Sequence, residues 1–283
     1  MIKRLGILVD VIIILWIIEY VDQAYLGERL DNFGLRPGEF DPWQIALMAL
    51  LHGGFDHLLG NTQGLILFGC LMLKRGWSDL IYATLSSIVA GGLLINLIGQ
   101  ANSIHIGASG VVFGWWSFLA VRGYYERNLS AVACSLIILF FYGGVIYGVL
   151  PGQDGISWEG HLGGALGGVL AARLAPQDCR GRAFRRLPSL SAVLKAVGSL
   201  AVGVVYTLLP LDLVLDAIPV FGYSDDMGVN AMTTVYACWS LLKRERKPSQ
   251  AKTTNVSSDS STPTCSTHLY EAEIERLKKC KLL

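Results

Sequence analysis

Charge is scarce in this chain. Of 283 residues only 16% are charged, 52% are hydrophobic, and the mean hydropathy is +0.47. A soluble domain fills its core with fewer apolar residues, so the composition excludes an ordinary water-soluble globule and calls for lipid. Neither sign of charge predominates. The net charge of +1 says little about partners, because the charges stand in short blocks between apolar stretches, and no nucleic-acid partner is expected. Paired cysteines are lacking as well: Cys70, Cys134, Cys179, Cys238, Cys265 and Cys280 include no C-x-x-C motif and read as reduced and structural. No H-E-x-x-H signature occurs, so neither a metal nor another cofactor is expected.

What the chain does have is length in apolar runs. A membrane-crossing helix takes about 20 largely apolar residues at about 1.5 Å each. That yardstick predicts six spans, at Leu5–Asp22, His57–Leu73, Leu80–Gly99, Gly107–Val121, Leu129–Val149 and Glu159–Ala175. The first follows Met1–Arg4 without a small-residue cleavage site, so it reads as a retained span rather than a signal peptide. Basic residues favour the cytoplasmic side. Lys3, Arg4, Lys74, Arg75, Arg122, Arg127, Arg173, Arg180, Arg182, Arg185 and Arg186 all share that side if the N-terminus is cytosolic. The opposite side holds Arg29 and Arg36 in a long first loop, about Gln23 to Leu51, whose second half carries Phe40, Trp43, Leu47 and Met48 and is expected to lie partly embedded at the interface, either helical or packed on protein.

Three clusters carry chemistry. Gly107-Ala108-Ser109-Gly110 opens the fourth span and puts a hydroxyl at a helix start between glycines. There a carbonyl could approach closely, and free N–H groups favour a developing oxyanion. A plain helix cap is the alternative. In the sixth span Gly160, Gly164 and Gly168 form a ridge beside His161, while Gly110 and Gly114 offer a matching small face in the fourth. Two such helices packed closely would bring imidazole and hydroxyl together, the pairing that nucleophilic catalysis requires. At the start of the second span His57 and Asn61 share a face and could both donate to an oxyanion, or could simply glue helices together. His105 is a rival base, expected before the helix and facing solvent, and Asp154 a rival third member for His161. His52, Asn61, Thr62 and Gln63 are expected to line a cavity that admits water.

These motifs, in this order, resemble those of the rhomboid family over about Leu5 to Pro176. They are the run L-H-G-G-F-x-H-L-x-x-N from Leu51 to Asn61, G-x-S-G at Gly107–Gly110 and G-H-x-G-G at Gly160–Gly164. The resemblance implies an all-α, polytopic fold, a six-transmembrane-helix bundle. It implies a Ser109–His161 dyad with no acidic third member and no cofactor, and an oxyanion site made by His57, Asn61 and the Ser109 backbone. Phe113 would stack on His161, with Gly107, Gly110, Gly160 and Gly164 in support. The implied activity is serine endoproteolysis of transmembrane or juxtamembrane segments of other proteins, in a bilayer that is expected to be a bacterial cytoplasmic membrane. The N-terminus would be cytosolic and the active site would open outward. Where many members have Trp-Arg, this chain has Trp43-Gln44, which removes a fixed charge from the first loop. A non-catalytic relative that binds transmembrane helices is the rival reading, although such relatives typically lack the serine or the histidine. A small transporter or channel would explain buried polar groups but not the glycine-flanked pair.

The expected organisation is a protease domain at 1–176, a basic cytoplasmic linker at 177–190, a small helical module at 191–246 and a mostly disordered polar tail at 247–283. In the module, Pro210, Asp212, Leu213, Asp216, Ile218, Pro219, Gly222, Asp225 and Asp226 resemble the signature of the YkvA-like domain of unknown function. Its carboxylates have no histidine nearby, so caps and turns suit them better than a metal. Both an interfacial hairpin and a pair of crossings fit the module.

Overall fold

The computed structural model describes residues 2–39, 41–127, 129–152, 155–175, 190–208 and 232–240. Helices dominate, and among the described residues the one extended pairing is an isolated bridge between Leu35 and His105. The helices are α1 (Ile2–Val21), α2 (Pro42–Leu47), α3 (Phe55–Arg75), α4 (Trp77–Ile98), α5 (Ser109–Glu126), α6 (Leu129–Tyr142), α7 (Trp158–Leu174), α8 (Leu190–Leu208) and α9 (232–240). The signature around Asp212 to Asp226 lies outside the described residues.

Lipid is written into the exposure pattern. Leu85, Val89, Leu93 and Leu97 of α4, and Leu136 and Phe140 of α6, point outward, the reverse of a soluble helix. By length and composition alone, Trp77–Ile98 and Leu129–Val149 are long and apolar enough to cross a membrane. The second of these changes pitch: α6 gives way to a 3-10 stretch at Gly143–Val149, where Gly143 and Gly144 weaken the α-helical state.

At the centre stands α7, packed most extensively against α4 and α5. Its glycines work on two faces. A Cβ on Gly164 would strike the Gly110 carbonyl and one on Gly168 the Gly114 carbonyl, whereas one on Gly163 would come within 2.7 Å of Gly91 Cα and one on Gly167 within 2.7 Å of Ser87 Cα. Backbone therefore touches backbone on both sides, and Ser117 Oγ donates across the seam to the Ala165 carbonyl at 2.7 Å.

Charge gathers at the far end of α5 from Ser109. Buried Arg122 donates to the Ala172 carbonyl at 2.5 Å and to the Ala175 carbonyl at 3.3 Å, satisfying the C-terminal end of α7. Its Nε also meets Glu126 at 3.0 Å. Glu126 pairs with Arg75 too, and Arg75 reaches Asp79 at 3.0 Å. Two of the basic residues that the sequence assigned to loops are thus ion-paired ties between α3, α4, α5 and α7.

The first loop is ordered by short turns. A π turn at Asp22–Leu26 ends at Gly27 (φ 62°), and a 3-10 turn covers Leu30–Phe33. The interfacial segment expected in its second half contains the six-residue α2, with Pro42 in its first turn and Gln44 and Ile45 buried. Leu35, Ile45, Met48 and Ile95 form a small second core that pins this loop to α4. Gln44 lies inside that layer, 6% exposed, and its Oε1 finds no partner among the described residues.

Candidate active site

The fourth apolar run begins as a helix at Ser109 rather than at Gly107, because Gly107 takes φ 120°, which a helix cannot contain. Three contacts hold this turn. Gly107 N–H donates to the Met48 carbonyl at 2.7 Å, Ala108 N–H donates to His52 Nε2 at 3.3 Å, and the Ala108 carbonyl accepts from Val111 N–H at 2.9 Å. A Cβ on Gly107 would lie 2.7 Å from His57 Nε2 and 3.4 Å from Asn61 Nδ2. The turn before Ser109 therefore faces both side chains directly, and only glycine leaves them room.

The protons can be assigned from partners. His57 Nδ1 accepts from Gly53 N–H at 3.4 Å, which leaves the ring proton on Nε2, the atom facing Gly107. Asn61 is 6% exposed, and its Nδ2 has no partner among the described residues. A buried, unspent amide donor is costly to keep unless something is to bind it. His161 Nδ1 lies 2.9 Å from the Gly148 carbonyl, which can only accept, so Nδ1 carries the proton and Nε2 is left basic. The Phe113 ring stacks on the imidazole at 4.1 Å and 11°.

One cavity of about 1150 Å³ collects these groups: His57, Asn61, Ser109, Phe113 and His161 all line it. Gly107, Gly110 and Gly160 line a narrow neighbouring cleft that shares Ser109, and Gly164 serves only the helix seam. A separate cavity of about 320 Å³ at Tyr124–Arg127 sits at the other end of α5 and contains none of them. Among the described residues no cluster of histidine, cysteine and carboxylate could hold a metal ion. The set offers a hydroxyl at a helix start, an imidazole with a free basic nitrogen and two donors that can converge on one oxygen, a combination suited to acyl transfer.

Several expectations change. His105 does not face solvent: it is 7% exposed, with Nε2 at 2.8 Å from Ser103 Oγ and Nδ1 at 2.6 Å from Ser157 Oγ, and neither nitrogen is free to act as a base. Burial lowers its pKa, with Glu159 acting weakly the other way. His52 is not among the residues lining the cavity of Ser109 and His161; it is 1% exposed, and burial pushes it down to about 4. The Thr62 hydroxyl is spent within the helices, donating to the Leu58 carbonyl at 2.8 Å and accepting from Trp16 Nε1 at 3.1 Å, whereas Asn61 and Gln63 do line the cavity. Asp154 lies outside the described residues. The Gly148 carbonyl and Ser157 went unnoticed in the sequence. Ser157 had a readable signal, being a serine two residues before the acidic Glu159 at a helix start, and its Oγ does cap α7 by accepting from Gly160 N–H at 3.3 Å.

Comparisons with known proteins point the same way. A family model described as the Rhomboid domain matches residues 39–177, and one described as a protein of unknown function (DUF1232) matches residues 196–232. An uncharacterized protein of Mycobacterium tuberculosis is 42% identical over 184 residues, covering 61% of this chain and 76% of its own length. YdcA of Bacillus subtilis, described as a candidate rhomboid protease, is 29% identical over 151 residues, 52% of this chain and 72% of its own. A protein of Debaryomyces hansenii named rhomboid-type serine protease 2 is 28% identical over 172 residues, 56% of this chain and 59% of its own. No solved structure matches.

Proposed function

The chain belongs to the rhomboid family, whose members are membrane-embedded, and from that premise we propose that it is an intramembrane serine endopeptidase. It cleaves transmembrane or juxtamembrane segments of other proteins. In this reading α1, α3, α4, α5, the α6–3-10 stretch and α7 are six crossings of a 1–176 protease domain. Its N-terminus is in the cytosol, and the cavity opens to the outer face of a bacterial cytoplasmic membrane. Residues 177–190 are a basic linker, 191–246 a helical module and 247–283 a polar tail.

Ser109 Oγ attacks the scissile carbonyl while His161 Nε2 takes its proton, and the same nitrogen later returns the proton to the leaving amine. With no acidic residue in the dyad, the Gly148 carbonyl keeps the His161 tautomer, and Phe113 holds the ring plane. The oxyanion forms beside His57 Nε2–H, Asn61 Nδ2 and the first N–H groups of α5, each such donor being worth roughly 3–4 kcal/mol of barrier. A helical substrate must unwind to enter, so segments with glycine, proline or small polar residues near the cut are preferred.

The observation that carries this reading is the shared cavity of Ser109 and His161, with the unspent Asn61 amide on its wall. The test is cleavage of a transmembrane substrate in proteoliposomes by the intact chain, Ser109→Ala and His161→Ala. Each variant should lose at least about a thousandfold in turnover while keeping its melting temperature. A serine-directed phosphonate should label the intact chain at Ser109. Unchanged cleavage by Ser109→Ala would remove Ser109 from the role of nucleophile, and an intact chain that neither cleaves nor labels would favour a helix-binding relative without catalysis.

A further inference from the structure

Between the two proposed catalytic helices runs a hydrogen-bond chain that the dyad and the oxyanion donors do not use. Ser103 Oγ lies 2.6 Å from the Gln100 carbonyl, and since a carbonyl only accepts, the Ser103 proton is spent there. Ser103 Oγ must then accept at its 2.8 Å contact with His105 Nε2, so Nε2 carries the ring proton. In a neutral imidazole Nδ1 is then an acceptor, and the 2.6 Å contact to Ser157 Oγ is a hydrogen bond donated by the serine. Ser157 Oγ still has lone pairs for Gly160 N–H, at 3.3 Å. Every direction in the chain is thereby fixed, from the first turn of α7 back to Gln100, and it requires a neutral His105.

His105 is held by its backbone as well. Its N–H donates to the Leu35 carbonyl at 2.9 Å, and its carbonyl accepts from Leu35 N–H at 3.0 Å. Two residues later comes the Gly107 turn that launches Ser109, and the Ser157 carbonyl accepts the His161 N–H at 3.0 Å. The side-chain contact between His105 and Ser157 thus links a point four residues before the nucleophile to a point four residues before its base.

We propose that His105 is a positioning residue: by accepting the Ser157 hydroxyl proton while donating to Ser103, it sets the start of α7 against the start of α5 and so aims the His161 imidazole at the Ser109 hydroxyl. This rests on the protease reading above. Ser117 and Arg122 tie the middle and the far end of the α5–α7 seam, whereas its outer end is lined by glycines, and a directional hydrogen bond there fixes how the two helix starts lie against each other. Among the described residues no carboxylate is hydrogen-bonded to His161, so its aim depends on the Gly148 carbonyl, the Phe113 ring and the placement of the start of α7.

The test uses the full chain with His105→Leu, Ser157→Ala, the double variant and Ser157→Thr, assayed on a transmembrane substrate in proteoliposomes. His105→Leu and Ser157→Ala should each lower kcat about 10- to 100-fold with KM within twofold, the signature of reacting groups held out of line. The double variant should fall well short of the product of the two single losses, because both singles remove the shared His105–Ser157 contact. Ser157→Thr, which restores a hydroxyl, should recover most of kcat, and the rate of phosphonate labelling at Ser109 should follow kcat across the set. The proposal fails if either single variant keeps full kcat, if the two losses multiply as independent lesions do, or if Ser157→Thr is as poor as Ser157→Ala. Failure of the protease reading looks different, because the unaltered chain then shows no Ser109-dependent cleavage at all.

Discussion

Asp31 shows how a single side chain can make stability depend on pH. It sits in the 3-10 turn of the first loop, and its Oδ1 is buried without a partner among the described residues. Burial, with Asp22, Glu19 and Glu28 nearby, pushes its carboxyl up from 3.8 to about 6. A raised carboxyl favours the folded state only while protonated. Its contribution is complete below the unfolded value near 4 and is lost as pH rises through about 6. Asp31→Asn should therefore stabilise the chain above pH 6 by on the order of 1 kcal/mol, discounted for partial exposure, and change little at pH 4. Thermal melts at the two pH values decide it, and an equal effect at both would show that the charge is irrelevant. At this scale the gathering of Ser109, His161, His57 and Asn61 around one cavity was legible, because each is an ionisable or polar group set among glycines in an apolar run. The Gly148 carbonyl that fixes the His161 tautomer was not legible, because every residue type supplies the same carbonyl. His105 was misread because its burial comes from Leu35 and Ser157, both distant in sequence.

Among the helices, the four-residue glycine spacing of α7 correctly signalled a close seam with α5, and contacts at Gly110 and Gly114 realise it. The second seam, Gly163 and Gly167 against α4, went unread, although Ser86 and Ala90, and Ser87 and Gly91, give α4 the same four-residue spacing of small residues. Helix ends were off by a few residues wherever backbone conformation decided them, as at Gly107 and at the 3-10 stretch after Tyr142. The seam makes a sharp forecast. Gly164→Val puts side-chain carbons where the Gly110 carbonyl already stands, and backbone cannot give way cheaply, so α5 and α7 must part. The variant should lose about 3 kcal/mol or more of stability and most phosphonate labelling at Ser109. Gly6→Val, in α1 with nothing near its missing Cβ, should stay within about 0.5 kcal/mol of the parent. Similar melting temperatures for the two variants would mean that the seam is loose.

The molecule as a whole raises the question of where the C-terminal module sits, which hydropathy left open between an interfacial hairpin and a pair of crossings. The described part of the module makes these contacts with the bundle. Thr234 and Cys238 of α9 meet Tyr142 and Cys134 of α6, through a hydroxyl contact of 3.5 Å and a Cys134 Sγ to Cys238 carbonyl contact of 3.9 Å. The later residue of α9 meets the earlier residue of α6, so the two helices run antiparallel. On the other side Lys74 of α3 lies 4.8 Å from the centre of the Trp239 ring, and Ser199 of α8 donates to the Thr233 carbonyl at 3.2 Å. Ala237 and Cys238 are almost fully buried, and Met232 lines the same cavity as Ser109 and His161. A helix held by α3, α6 and α8 belongs to the bundle, and its two facing thiols make this measurable. In the full chain, mild oxidation or a short thiol-to-thiol cross-linker should join Cys134 to Cys238, detected as one linked peptide pair by mass spectrometry. Cys134→Ser or Cys238→Ser should abolish that pair and leave any link among Cys70, Cys179, Cys265 and Cys280 unaffected. Reaction of Cys238 with a membrane-impermeant maleimide as fast as Cys265 in the polar tail, with no Cys134 link formed, would instead put α9 in water and detach the module from the cavity it borders here.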